Sequence, residues 1–324
     1  YGKMLETNCY RTNLMKILGH HIQLDLIKNL IKKKQFPNSL ILSGQKGIGK
    51  SLIAKNTAYC LTGCIKLDEL IDFKELISHD ILLICKDNLE EKKQSKQFMY
   101  RDDISHISSF FKTKNESNNK RVCIIDAIDD LSLDAVNSLL KIIEEPNINS
   151  HFILISHDNK KLLPTIISRS FQIKFNNFNK GDFLSILNVL DDLETTDHSY
   201  LYELTRGSLD ISKSYINNDF RDIDNHLQKI YEDKNNIKSN TAYHYINFLN
   251  NKGGDKALIV SFFDYLILKK ILYIRNSINS LHYSKIDRFI SMANELKKLK
   301  ERYITFNLSF EHILIHYFNR LKQQ

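Results

Sequence analysis

Short apolar runs punctuate the first half of the chain, at residues 40–43, 81–85, 122–126, 152–156 and 171–175. Stretches of helical periodicity separate them. Runs without regular polar alternation suit strands buried on both faces, and strands alternating with helices argue a five-stranded parallel sheet covered on both sides. One intervening helix is legible in detail. Leu133, Val136, Leu139, Leu140 and Ile143 recur at helical spacing, with Ser132 placed to cap the helix and Pro146 to stop it. That stripe is expected to be core.

After Phe175 the strand pattern ends, and Asn176-Asn177-Phe178-Asn179 reads as a connector into a helical region that closes near Gly207-Ser208. From about residue 219 the pattern is helical, with aromatic-rich segments around 245–249, 258–272, 289–299 and 308–321. Such segments have wide apolar faces to bury against one another or against other subunits. The expected organisation is an α/β core over 1–176, a small helical domain over 177–218 and an all-α domain over 219–324. Internal repeats and low-complexity tracts are absent from the sequence.

A nucleotide-binding expectation comes from Gly44-Gln45-Lys46-Gly47-Ile48-Gly49-Lys50-Ser51, which lies between an apolar strand and a helical face made by Leu52, Ile53, Ala54, Ala58 and Leu61. In this pattern glycines let backbone N–H groups converge on phosphate oxygens. Lys50 reaches the β/γ-phosphates, Ser51 ligates Mg²⁺, and the helix N-terminus faces the anion. Asp126, at the carboxyl end of a hydrophobic strand, is the candidate second magnesium ligand. The next residue is Ala127, which has no carboxylate to orient an attacking water. Asp129 and Asp130 lie past the strand end and are not expected to replace that base. The mismatch predicts a nucleotide fold used without its own hydrolysis.

Composition adds limits. At 324 residues with 42% hydrophobic content the chain is long enough for two or three domains. A formal charge of +8 is compatible with a nucleic-acid or other polyanionic partner. The basic runs 32–34, 92–96 and 112–120 read as solvated surface. Five irregularly spaced cysteines, Cys9, Cys60, Cys64, Cys85 and Cys123, argue for a reducing compartment. Cys60 and Cys64 supply only half of a zinc ligand set, so no zinc is expected. Residues 1–16 lack the apolar region of a secretory signal, and the longest apolar run, 257–268, contains Asp264 and is too short to span a bilayer. A cytoplasmic location without membrane contact is expected.

A family resemblance sharpens this reading. Ala135 to Pro146, with Asn137, Leu139, Leu140, Lys141, Glu144 and Glu145, is followed by His151-Phe152-Ile153-Leu154-Ile155-Ser156-His157 and by Leu163-Pro164-Thr165-Ile166-Ile167-Ser168-Arg169-Ser170. Together they resemble the AAA+ core of bacterial clamp-loader subunits. Leu18-Gly19-His20-His21-Ile22-Gln23 and Phe36-Pro37-Asn38-Ser39-Leu40 are similar to that family's opening. The Asp126-Ala127 pair is similar to the delta-prime branch rather than the gamma/tau motors. The resemblance is dense over 18–175 and weak beyond.

It implies an AAA+ P-loop domain followed by lid and collar. ATP with magnesium is an expected ligand at Gly44, Gly47, Gly49, Lys50, Ser51 and Asp126. Arg169 is the implied trans-acting arginine finger, with Ser170 in the place of the family's cysteine. Asp210 stands where motors carry a lid arginine, Ser156 or His157 fills the polar sensor position, and the family's zinc module is not expected. Implied partners are gamma/tau and delta subunits, the sliding clamp and primer-template DNA held through its phosphates. Two competing expectations are an ATP-hydrolysing gamma/tau-like motor and a small-molecule P-loop kinase.

Overall fold

The computed structural model describes residues 15–16, 18–64, 69–70, 78–85, 99, 101–112, 120–147, 149–158, 162–190, 198–217, 220, 223–225, 227, 240–254, 256–277, 283–306 and 308–322. Cys9, the rest of the 1–11 segment, the 92–96 run and residues 113–119 lie outside them. The chain divides into two compact units, Tyr1–Phe178 and Asn179–Gln324.

In the first unit, β1 (Met15–Lys16) precedes α1 (His21–Lys32), β2 (Ser39–Ser43), α2 (Lys50–Leu61), β3 (Glu69–Leu70) and β4 (Ile81–Cys85). Then come α3 (Arg101–Ile104), α4 (His106–Lys112), β5 (Arg121–Asp126), α5 (Leu133–Glu144), β6 (Ser150–Ser156), α6 (Pro164–Ile167) and β7 (Phe171–Lys174). Five strands form one parallel sheet in the order β4-β5-β6-β2-β7. The three inner strands are the most buried ones. Every residue of β2 and β6 is buried, whereas edge strand β7 buries only Ile173. Ile41, Ile125 and Leu154 join Met99, Ile107 and Leu139 in the core beneath α5. Each such side chain contributes about 1.5–3 kcal/mol through burial.

The strands expected from the apolar runs are present, with ends displaced by at most two residues. Helix α5 begins where expected: the Ser132 hydroxyl accepts from the Ala135 N–H at 3.3 Å. Ser132→Ala should therefore destabilise the protein by about 1 kcal/mol, read as a lower urea midpoint at unchanged slope. The expected stripe needs one correction. Val136, Leu139 and Ile143 are buried, but Leu133 is 69% exposed, and Ala135 takes the buried position near the helix start. At the first helical position the side chain still points past the edge of the core. The antiparallel pair β1–β3 was not anticipated, because two residues per strand carry no period.

The second unit is helical: α7 (Lys180–Leu190), α8 (His198–Thr205), α9 (Leu209–Asn217), α10 (Thr241–Asn251), α11 (Lys256–Ser277), α12 (Tyr283–Phe306) and α13 (Phe310–Lys322). The long α11 packs on α8, α9 and α12, while α10 packs on α13. Aromatic rings fill the space between helices. Tyr245 stacks on Phe318 with centroids 4.9 Å apart, and Phe220, Phe262, Phe263 and Tyr265 are buried. Inside this apolar packing sits a buried ion pair, Lys269 Nζ to Asp224 Oδ1 at 2.7 Å. The Tyr200 and Tyr265 hydroxyls donate to the same carboxylate, and Lys269 also donates to the Tyr200 oxygen. Among the described residues no helix is long and apolar enough to cross a membrane.

Candidate nucleotide site

The phosphate cradle is built where β2 ends. Its first residue, Gly44, donates its N–H to the Ser156 carbonyl at 3.2 Å, so the loop leaves the sheet beside the end of β6. Gly44 has φ +153°, and a Cβ there would stand 2.3 Å from the Phe175 carbonyl oxygen. Only glycine fits. Gly47 and Gly49 have φ of 82° and 88°, and Gly49 caps α2. These left-handed turns carry the chain back across the strand end and start a helix whose first N–H groups face the loop.

Lys50 opens α2 with its side chain folded under the loop. It is 2% exposed, and its ammonium donates to the Gly44 carbonyl at 2.7 Å and the Gln45 carbonyl at 2.5 Å. Burial lowers its pKa to about 8, opposed by the carboxylates of Asp126 and Asp129. Ser51 follows, half-buried, in the first turn of α2. His20 supports the loop from outside: its Nε2 is 2.8 Å from the Ile48 carbonyl, and its ring packs on Phe175 and Phe178 with centroids 5.0 and 4.4 Å away. Nothing in the sequence pattern marks that role for His20.

Asp126 ends β5, with His157 Nε2 3.7 Å from its carboxylate. Burial, followed by the Lys50 charge, lowers the His157 pKa, so the imidazole is neutral near pH 7 despite its acidic neighbours. His157 Nδ1 is buried with no hydrogen-bond partner among the described residues. Asp129 is committed elsewhere. Its carboxylate accepts from the Ser156 hydroxyl at 2.9 Å, from the His157 N–H and from the Asp158 N–H at 3.2 Å. It therefore ties the turn after β5 to the end of β6, and Ser156 spends its hydroxyl on that tie.

The donor set fits a magnesium nucleotide. Converging loop N–H groups and Lys50 would hold phosphates, and Ser51 with Asp126 would hold the metal, which supplies charge neutralisation when bound. Ala127 is buried and has no group to activate water.

Arg169 lies away from this cluster. It precedes β7, whose first residue pairs with Leu40 near the start of β2, and the adjacent Ser170 hydroxyl is 2.8 Å from that of Ser39. The cradle follows the other end of β2, roughly 16 Å away for a five-residue strand. Its guanidinium is held by Glu144, at 2.7 Å from Nε. Asp210 belongs to the second unit, where it lines a cavity of about 130 Å³ between α9 and α11 with Ser214, Ser261 and Asp264. Cys60 and Cys64 sit at and just beyond the last turn of α2, with thiols near Asn56 and Thr62 respectively.

Several known proteins are similar to this chain. Residues 19–179 match the family described as DNA polymerase III, delta subunit. The delta' subunit of DNA polymerase III from Bacillus subtilis is 32% identical over 157 residues, which is 46% of this chain and 45% of that protein. The gamma subunit from Buchnera aphidicola is 29% identical over 269 residues, 82% of this chain and 71% of that one. A gamma subunit-related protein from Thermotoga maritima has the same fold, with a TM-score of 0.50 at 17% identity over 93% of this chain and 99% of its own. The delta' match thus spans less than half of that relative's length. Over residues 19–179, just under half of its length, the chain thus resembles the DNA polymerase III delta-subunit family, and that core is delta-prime-like.

Proposed function

We propose that the chain serves as the stationary, delta-prime-like member of a bacterial clamp loader, supporting ATP-dependent loading of a sliding clamp onto primed DNA without turning over ATP itself. The observation that carries this reading is the state of the carboxylates beside the cradle. Ala127 follows Asp126, and Asp129 is consumed by three hydrogen bonds at the end of β6. Lys50, Ser51 and Asp126 hold ATP and magnesium while no group orients a water for attack. Arg169, a strand length from its own cradle, is presented to the ATP site of an adjacent gamma/tau subunit, where a guanidinium stabilises charge on the transferring phosphate. The helices over 177–218 act as lid and those over 219–324 as collar, joining gamma/tau and delta subunits in a ring through which primer-template DNA passes, in the cytoplasm.

The purified chain should show no ATP turnover that Lys50→Ala removes, in a steady-state phosphate-release assay. Brisk hydrolysis abolished by that substitution would overturn the proposal in favour of a gamma/tau-like motor. That second reading draws support from the Buchnera gamma subunit, whose similarity extends over 82% of this chain.

A further inference from the structure

We infer that Glu144 is a positioning residue for Arg169, setting the direction in which the guanidinium is presented to the neighbouring ATP site; the inference rests on the arginine-finger reading above. Three groups of this chain hold two of the three guanidinium nitrogens. Glu144 Oε1 lies 2.7 Å from Nε, while Nη1 donates to the Thr165 carbonyl at 3.0 Å and to the Ser168 hydroxyl at 3.2 Å. Nη2 donates to none of the described residues, so its two N–H groups remain for an anion.

The backbone beneath is equally fixed. The Arg169 N–H donates to the Ile166 carbonyl at 3.2 Å, that of Ser170 to the Ile167 carbonyl at 3.3 Å, and the Ser170 hydroxyl meets Ser39 at the start of β2. A long, four-torsion side chain on a surface turn would otherwise sample many directions, and an arginine serves phosphate only when its fork is aligned.

The location of Glu144 argues against a role in helix stability. It is the last residue of α5, where the negative end of the helix dipole disfavours a carboxylate. Its pair with Arg169 is solvent-accessible, with side chains 46% and 39% exposed, and such pairs add little to folding. An acidic group there is poor for the helix and nearly neutral for the fold, but it suits aiming the arginine. The carboxylate holds Nε and leaves Nη2 for phosphate oxygens.

The test uses the complete chain reconstituted with its motor and delta-type subunits, in four forms: native, Glu144→Ala, Arg169→Ala and the double substitution. Glu144→Ala should lower kcat for ATP by about 3- to 10-fold with KM and the thermal midpoint unchanged. In the Arg169→Ala background it should change nothing further, because it acts only through that side chain. Glu144→Gln, which keeps the acceptor oxygen, should recover part of the loss. Native or raised turnover in Glu144→Ala, or an extra loss in the double form, overturns the positioning role. If Arg169→Ala itself turns over ATP like the native complex, the finger reading fails and takes this inference with it. A slow Arg169→Ala with a native-rate Glu144→Ala removes the inference alone.

Discussion

Arg169→Ala is expected to leave the chain folded and able to assemble while lowering turnover at the ATP site it faces by roughly 10³-fold, the lower range for loss of an arginine finger in GTPases. Folding should be spared because the side chain is partly exposed and its ion pair with Glu144 is a surface contact. Chemistry should suffer because no other group on that turn replaces a planar, permanently charged fork; Ser168 and Ser170 bring only hydroxyls. The measurement is ATP hydrolysis by the reconstituted loader beside a thermal melt of the isolated variant. Native turnover with an unchanged melt would remove the finger assignment.

Asp224→Ala is expected to cost about 3–5 kcal/mol, a large share of the roughly 5–15 kcal/mol that holds a typical domain together. Asp224 and Lys269 are 6% and 5% exposed, and the carboxylate accepts from the ammonium and from two tyrosine hydroxyls. Removing it leaves a buried ammonium with only the Tyr200 oxygen as an acceptor among the described residues, and two phenols without their anion. The Tyr265 phenol stays protonated throughout ordinary conditions. Burial first, then the Asp224 charge, raises the Tyr265 pKa well above its ordinary value. Urea unfolding followed by far-UV circular dichroism reads the loss. Pairing Asp224→Leu with Lys269→Met should restore most of it, because an apolar pair of similar volume carries no desolvation penalty. A shift below about 1 kcal/mol for Asp224→Ala would show that water reaches the pair.

The parallel sheet was legible because its inner strands are continuous apolar runs bounded by turn residues. The cradle was legible because phosphate binding demands glycines, a lysine and a hydroxyl at fixed spacing. Contacts that join distant segments leave no such trace. Asp129 lies 27 residues from Ser156, and no period in the sequence says that its carboxylate ends on the next strand. Glu144 was legible only as part of a family phrase, because its partner is fixed by the return of the chain from α5 to the turn before β7. Leu133 was misjudged for a related reason. Helical spacing identifies a face, but where that face runs out is set by the neighbouring elements. In the second unit Asp224 and Lys269 look like ordinary surface charges until three-dimensional packing closes around them.

Gly44 has its absent side chain's place taken by the Phe175 carbonyl, and His20 lies against both Phe175 and Phe178 while reaching the Ile48 carbonyl. The phosphate loop and the stretch of backbone leaving the sheet are therefore geared like two cogs with no clearance. A force that turns residues 175–178 reshapes the cradle's rim, and an anion that seats in the cradle pushes back on the same four residues.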